Sequence, residues 1–339
     1  MEPTVIAVDA MGGDNAPGVV LDGCAQALAA DDNLRIMLCG PAEVVEPFAE
    51  QQPHCEAVVT TEVIDMGEHP ANAVRRKKDS SLVVGCRLVK EGKAKGFFSA
   101  GSTGACLSAA TLVMGRVKGI KRPCLATVVP SPVKPCVLTD IGANADCKPE
   151  YLVQFAIMGR IYCRSVLGVQ NPTVGLLNIG EEETKGSEFA QLCHAALKDV
   201  EGFQGNAEGH DVVNGTYDLV VTDGFTGNVC LKTIEGTSKM LFSAIKNIMM
   251  TSLKTKVGAL CIKGDLYKFK DTVSADTYGG APLLGVKGGC MVGHGSSNAT
   301  AIKNGVAATA TMVREDLPGQ IMAALASETD ADQASEGGE

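Results

Sequence analysis

The sequence predicts an α/β protein, a three-layer α/β/α sandwich around a mostly parallel sheet. Short apolar runs alternate with longer stretches of helical period along nearly the whole chain, the pattern of βαβ units whose sheet is covered on both faces. Polar, glycine-rich turns fall where the apolar runs give way to the helical stretches. The composition, 45% hydrophobic and 20% charged, excludes a disordered or fibrous chain, and 339 residues bury a large core without disulfide or metal staples.

In chain order, the apolar run Val5–Val8 reads as the first strand and the periodic stretch Gly18–Ala30 as the first helix. Strands at Arg35–Leu38 and Ala57–Ile64 enclose a helix at Ala42–Gln51. A helix at Ser80–Lys90 precedes the strand Gly96–Ser99, and a helix at Gly104–Val117 follows it. Next come strands at Leu125–Val129 and Cys136–Asp140, a helix at Pro149–Leu167, a strand at Val174–Asn178 and a helix at Glu183–Val200. The strand Leu219–Thr222, the helix Gly227–Ser252, the strand Cys290–Gly293 and the helix Ser296–Arg314 complete the pattern. Residues 247–274 break it: Leu253, Val257, Leu260 and Cys261 share one helical stripe flanked by lysines. We read residues 1–326 as one α/β catalytic domain with a projecting helical hairpin at about 246–275. Residues 327–339 read as an acidic, disordered tail.

Lys and Arg number 30 against 39 Asp and Glu, a net charge of −9, and five of the acids lie in the tail. The body therefore has no basic footprint for nucleic acid, and 4% aromatics with no Trp argue against a base-stacking surface. The 13 Cys include no Cys-x-x-Cys pair and sit mostly in apolar runs, which points to buried thiols in a reducing cytoplasm. The N-terminus enters an apolar strand without a basic leader, and no apolar stretch approaches the ~18 residues of a spanning helix.

Ligands on such sheets collect at the carboxyl ends of strands, so the turns there are where chemistry is expected. Glycine lets the backbone come close to a ligand, and the helix that follows aims unpaired N–H groups at it, which together make an anion site. One such turn carries little weight; several in one chain point to a shared phosphate-lined cleft. The P-loop, the Gly-x-Gly-x-x-Gly fingerprint, Gly-x-Ser-x-Gly and His-Glu-x-x-His are all absent. Two single residues stand out. Lys185 follows Glu181, Glu182 and Glu183 in one turn, where a cation would meet phosphate oxygens or simply pair with those acids. His294 sits between glycines ahead of Ser296 and Ser297, where it either contacts substrate or is satisfied by backbone. The basic run Arg75-Arg76-Lys77-Lys78 precedes Asp79 and Ser80, either of which can cap the next helix, and so lies beside a helix start.

The segments DAMGGDNAP (Asp9–Pro17), RRKKDSS (Arg75–Ser81), SAGSTGA (Ser99–Ala105), DIGANAD (Asp140–Asp146), LLNIGEEETKG (Leu176–Gly186), VTDGFTGNVCLKTIEG (Val221–Gly236), YGGAPLLGVKG (Tyr278–Gly288) and HGSSNATAI (His294–Ile302) resemble, in order, those of a known family. It is the bacterial phosphate acyltransferases that make acyl phosphate from acyl carrier protein, the PlsX family. Ser102 stands where that family usually has Asn, and a hydroxyl still donates a hydrogen bond there. The resemblance implies that long-chain acyl carrier protein and orthophosphate give acyl phosphate and free carrier, with no cofactor and no metal. It implies a product that feeds a glycerol-3-phosphate acyltransferase in phospholipid synthesis. It further implies a homodimer, a fold like the isocitrate dehydrogenase and phosphate acetyltransferase group, and a cytoplasmic enzyme in peripheral contact with an anionic membrane.

Such a site must place phosphate against a thioester carbonyl and stabilise the oxyanion with fixed donors. Lys185, His294 and Asn228 are the expected catalytic side chains. Gly101, Ser102, Thr103, Gly104, Asn144, Asp223, Gly227, Ser296 and Ser297 are expected to line the substrate. Arg75, Arg76, Lys77 and Lys78 are expected to dock the acidic carrier, and Leu253, Val257 and Leu260 to enter the membrane interface. A cysteine nucleophile is not expected, because none lies in a glycine turn beside a His. Three other readings remain. An acetyl- or butyryltransferase would use acyl-CoA as donor, a dehydrogenase of similar fold would need nicotinamide and metal, and a scaffold would leave the polar turns without a purpose.

Overall fold

The computed structural model describes residues 2–131, 133–272 and 275–336. Its strands are β1 (Thr4–Asp9), β2 (Leu34–Gly40), β3 (Cys55–Val59), β4 (Gly96–Ser99), β5 (Cys124–Val129), β6 (Cys136–Thr139), β7 (Val174–Leu177), β8 (Phe203–Ala207), β9 (Leu219–Val221), β10 (Ala281–Leu284) and β11 (Gly289–Val292). Its helices are α1 (Gly18–Ala30), α2 (Ala42–Gln51), α3 (Pro70–Arg76), α4 (Ser81–Lys90), α5 (Thr103–Ala109), α6 (Pro149–Ser165), α7 (Glu188–Leu197), α8 (Gly209–Asn214), α9 (Gly224–Met249), α10 (Leu253–Thr272), α11 (Ala299–Arg314) and α12 (Leu317–Glu336). All the strands belong to one sheet, in the order β3-β2-β1-β4-β11-β10-β5-β6-β9-β7-β8.

The expected three layers follow from alternation along buried strands. In β1, Ile6 and Val8 enter one core cluster with Val20 of α1 and Ile302 of α11. Ala7, between them, faces a second cluster with Leu82 of α4 and Ala105 of α5. Mostly parallel pairing holds on each side, but not through the middle. β1, β2, β3, β4 and β11 run parallel, as do β6, β7, β8 and β9. Between the two groups, β10 and β5 are each antiparallel to both neighbours. The second group therefore runs opposite to the first, and its carboxyl ends leave the sheet at the other edge. About 24 Å of sheet separates β4 from β9 at ordinary strand spacing.

Several elements differ from the sequence reading. β3 stops at Val59 because the next residues leave the sheet for the turn before α4, where Thr61 donates through N and Oγ1 to Asp79 Oδ2. The helix expected at Gly104–Val117 is α5 followed by a π turn over Ala110–Met114 that ends at Gly115. α7 starts at Glu188, where Ser187 caps it by accepting from Ala190 N, so residues 178–187 form a loop rather than a helical turn. Ser80 does not cap α4 with its side chain; its hydroxyl donates to Lys77 O. α3, α8, β8 and β10 are too short to show a period. The hairpin consists of α9 and α10 and begins at Gly224, and only Gly224 and Gly227 of α9 are buried. Residues 273 and 274 of the expected hairpin lie outside the described residues. α12 carries the backbone helix through Glu336, into the stretch read as a tail, and residues 337–339 lie outside the description. Among the described residues, no helix is long and apolar enough to cross a membrane.

Asp218 fastens the amino-terminal edge of the second group. Its carboxylate accepts from Lys134 Nζ at 2.7 Å, Thr173 N at 2.9 Å and Thr173 Oγ1 at 2.7 Å. Desolvation raises this carboxyl, but Lys134 and the Thr173 donors outweigh it and hold the group below its ordinary value. Asp218→Ala should cost about 1.5–3 kcal/mol in a urea titration at neutral pH. A depressed folded-state value means stabilisation present above the unfolded carboxyl range and lost as pH falls through the folded one. The gap between wild type and Asp218→Ala should therefore narrow below about pH 4.

Candidate active site

Because β1, β4 and β11 are adjacent and parallel, the turns that follow them lie together. Asp14 N donates to Gly295 O at 2.7 Å, joining the first turn to the third. A Cβ on Gly12 would stand 2.7 Å from Gly101 N and 2.8 Å from Ser99 Oγ, so only glycine allows the first two turns to touch. Asp9, buried at the end of β1, organises this contact. It accepts from Ser99 Oγ at 2.7 Å and from Met11 N at 3.1 Å, and Ser99 Oγ in turn accepts from Gly101 N at 3.0 Å. Burial pushes the Asp9 carboxyl up, against hydrogen bonds from Ser81, Ser99 and Met11.

The helices α5 and α11 open from this junction, with Ser102 and Asn298 at their starts. Ser102 makes no side-chain cap, and its hydroxyl, like those of Thr103 and Ser297, has no hydrogen-bond partner among the described residues. His294 is exposed, with Nδ1 2.8 Å from Ser296 Oγ and accepting from Ser296 N at 3.2 Å. That acceptor role places the proton of the neutral ring on Nε2, which has no partner among the described residues. The junction thus combines two helix N-termini, three unengaged hydroxyls and an imidazole N–H, a donor-rich setting for an oxyanion.

A second junction forms at the other edge of the sheet, after β6 and β9. The Asp140 carboxylate, fully buried, accepts from Leu125 N at 3.0 Å, Gly142 N at 3.3 Å and Ala143 N at 3.1 Å through one oxygen. Its other oxygen accepts from Asn144 N at 2.7 Å and Asn144 Nδ2 at 2.9 Å. Burial again raises this carboxyl, opposed by these donors. Asn144 O accepts from Gly224 N at 2.8 Å, and a Cβ on Gly227 would stand 2.0 Å from Asp140 O, so the start of α9 lies directly on this turn. Asn228 Nδ2 donates to Ile141 O at 2.9 Å.

The structure redistributes the expected site residues. Gly101, Ser102, Thr103, Gly104, His294, Ser296 and Ser297 come together at the first junction. Asn144, Asp223, Gly227 and Asn228 belong to the second, with Lys185 in the neighbouring loop after β7. The glycine turns thus gather at two junctions on oppositely running strands, and no hydrogen bond or ion pair among the described residues joins Lys185 to His294. Asn144 spends its amide donors on Pro123 O and Asp140. Asp223 caps α9, accepting from Thr226 N at 2.9 Å and Thr226 Oγ1 at 2.7 Å. Lys185 Nζ lies 3.8 Å from Glu182 Oε1, half exposed, in a loop held by Asn178 Nδ2 donating to Lys185 O.

Of the basic run, Lys77 is engaged with Glu68 at 2.5 Å and Val63 O at 2.6 Å, while Arg75, Arg76 and Lys78 are exposed. Leu253, Val257 and Leu260 are exposed on α10. Cys147 Sγ donates to Asn144 O at the second junction, and burial pushes this thiol up to about 12, far from a neutral-pH nucleophile. Sequence reasoning missed Asp9 and Asp140. The signal was available, since each is an acid closing or directly following an apolar strand, ahead of a glycine turn.

Comparison with known proteins adds to this geometry. Residues 4–320 match the model of the family described as "Fatty acid synthesis protein". A phosphate acyltransferase from Clostridium botulinum is 47% identical over 307 residues, covering 89% of this chain and 92% of that one. One from Clostridium perfringens is 45% identical over 322 residues, covering 93% and 95%. Among solved structures, a phosphotransacetylase from Streptococcus pyogenes superposes with a TM-score of 0.59 at 15% identity, covering 92% of this chain and 94% of that one; it supports the fold alone.

Removing Asp140 would leave the buried Leu125 N and four part-buried donors without this acceptor. Asp140→Ala should lower unfolding free energy by at least about 3 kcal/mol, read as a shifted denaturant midpoint. A midpoint within 0.5 kcal/mol of wild type, on the order of a neutral surface change, would show that the turn stands without the carboxylate.

Proposed function

The chain belongs to the fatty acid synthesis protein family, and we propose that, as the acyltransferase moving an acyl group onto phosphate, it takes that group from an acyl carrier protein. Acyl transfer to phosphate is the family's chemistry; the donor and the residue roles are our reading. The observation that carries the residue roles is the first junction, where adjacent parallel strands set the starts of α5 and α11 side by side with unengaged Ser102, Thr103 and Ser297 hydroxyls and the free Nε2 of His294. Orthophosphate is partly dianionic near neutral pH, so it needs placement more than deprotonation. A phosphate oxygen attacks the thioester carbon, and the negative charge that develops on the carbonyl oxygen is met by fixed donors. The C–S bond then breaks, the electron pair leaves on sulfur, and the proton carried by the phosphate passes to the thiolate. Acyl phosphate and free thiol result.

In this reading His294, Ser102, Thr103, Ser296 and Ser297 hold phosphate and the oxyanion. Asn228, at the second junction, and Lys185, in the loop after β7, meet the donor away from the reacting thioester. We further propose a cytoplasmic homodimer whose product passes to a glycerol-3-phosphate acyltransferase at the membrane. The exposed residues Leu253 (82%), Val257 (61%) and Leu260 (71%), on a lysine-rich helix of an acidic chain, support contact with an anionic bilayer.

Phosphate-dependent release of thiol from acyl carrier protein by the purified chain tests the donor; release from acyl-CoA alone would favour the coenzyme-bound alternative. His294→Ala should lose at least tenfold in kcat/KM, about 1.4 kcal/mol, with an unchanged Tm. A variant that unfolds readily while its folded fraction is fully active would make His294 structural. Lys185→Ala should also lose at least tenfold, and wild-type kinetics would leave Lys185 as a partner of Glu182. Val257→Glu with Leu260→Glu should abolish flotation with anionic liposomes. Equal flotation together with dissociation into monomers would assign the stripe to a subunit contact.

A further inference from the structure

α5 begins at the first junction, and its continuation carries a feature that the chemistry above does not use. A groove of about 450 Å³ opens beside the π turn, floored by Val83, Leu112 and Val113 and rimmed by Arg75, Lys78 and Arg87. Leu112 is 56% exposed while Ala110 and Met114 of the same turn are buried, so the π turn splits its side chains between core and groove. The rim is cationic throughout, in a chain of net charge −9. Arg75 and Lys78 have no acidic partner among the described residues, and Arg87 is held at the rim by donating to Lys78 O. Lys77, which the sequence groups with them, is withdrawn by Glu68. Pro70 of α3 packs over Gly104 at the start of α5, so the rim and the junction share one set of packed helices.

We propose that this groove docks an acidic, amphipathic helix of the acyl carrier protein, its carboxylates on the Arg75, Lys78 and Arg87 rim and an apolar side chain on Leu112 and Val113. The assignment rests on the donor proposed above and adds where that donor sits. Charge complementarity selects the partner, and exposed leucine amid cations is the matching surface for a helix that carries both acids and an apolar anchor. Thr103, at the junction, and Val113, at the groove, lie ten residues apart along the helical rod, about 15 Å at helical rise. A protein seated in the groove must therefore carry its thioester on an extended flexible arm, which is how carrier proteins present acyl groups.

The test uses the full chain with two donors, acyl carrier protein and acyl-pantetheine, the latter being the arm without the protein. Arg75→Glu with Lys78→Glu, and separately Leu112→Glu, should raise KM for the carrier at least tenfold and flatten its salt dependence. The kcat at saturating carrier should stay within about twofold of wild type, so that preference for the carrier over acyl-pantetheine falls at least tenfold, about 1.4 kcal/mol. Circular dichroism melts check that each variant is folded. An unchanged carrier KM at low salt overturns the groove, as does an equal loss on both donors. Loss of liposome flotation with unchanged carrier KM would assign the rim to lipid and also overturn it. Wild type active on the carrier with unaffected variants defeats the groove alone; wild type inactive on the carrier but active on acyl-pantetheine defeats the donor assignment, and the groove with it.

Discussion

A carboxylate buried at the end of a strand has to be surrounded by donors, and in this fold the donors are the turns themselves. Asp140 draws four backbone N–H groups and the Asn144 amide onto its two oxygens. Asp9 does the same more sparingly, through Ser99 Oγ and Met11 N. An unpaired buried carboxylate would be far more costly than any one of these hydrogen bonds is stabilising, so the turns have little freedom to adopt another path. Everything that follows at each edge of the sheet, from the opening of α5 and α11 to the seating of α9 on Asp140 O, is placed relative to those two acids.

The same arrangement separates structural charge from chemical charge. Asp9, Asp140 and Asp223 spend their oxygens on backbone, amide and hydroxyl donors, so these three acids are internally satisfied. Donors that remain unspent gather at the first junction, on Ser102, Thr103, Ser297 and His294. That imbalance suits an anionic reactant, and it arises because side chains there neither cap their own helices nor pair with acids. The cations follow a comparable division, with Lys77 and Lys134 engaged by Glu68 and Asp218 and Arg75 and Lys78 left at the surface.

Much of this was legible in the sequence. The alternation of apolar runs and helical periods gave the strands around Val5–Val8, Gly96–Ser99 and Leu219–Thr222 nearly to the residue, because buried parallel strands are continuous apolar runs. Short elements such as α3, α8 and β10 were not legible, since four to seven residues hold no period. The start of α7 was misplaced because Glu181–Glu183 look like a helical first turn, whereas Ser187 provides the actual cap. Of the candidate site, the turns were legible from glycine and polar composition, while Asp9 and Asp140 passed as ordinary strand-end acids.

The sequence by itself determined the class of fold, the turns that carry chemistry and, through the motifs Asp9–Pro17 to His294–Ile302, the family. Local pattern and composition are enough for these, because they depend on residues close together in the chain. Only the tertiary structure decided which turns share a site. β10 and β5, two four- to six-residue strands remote in sequence, reverse the direction of half the sheet, and so the His294 turn joins Gly101–Gly104 while the start of α9, with Asn228, joins the Asn144 turn at the other edge. Strand direction is set by long-range pairing, and a strand's own residues read the same in either sense.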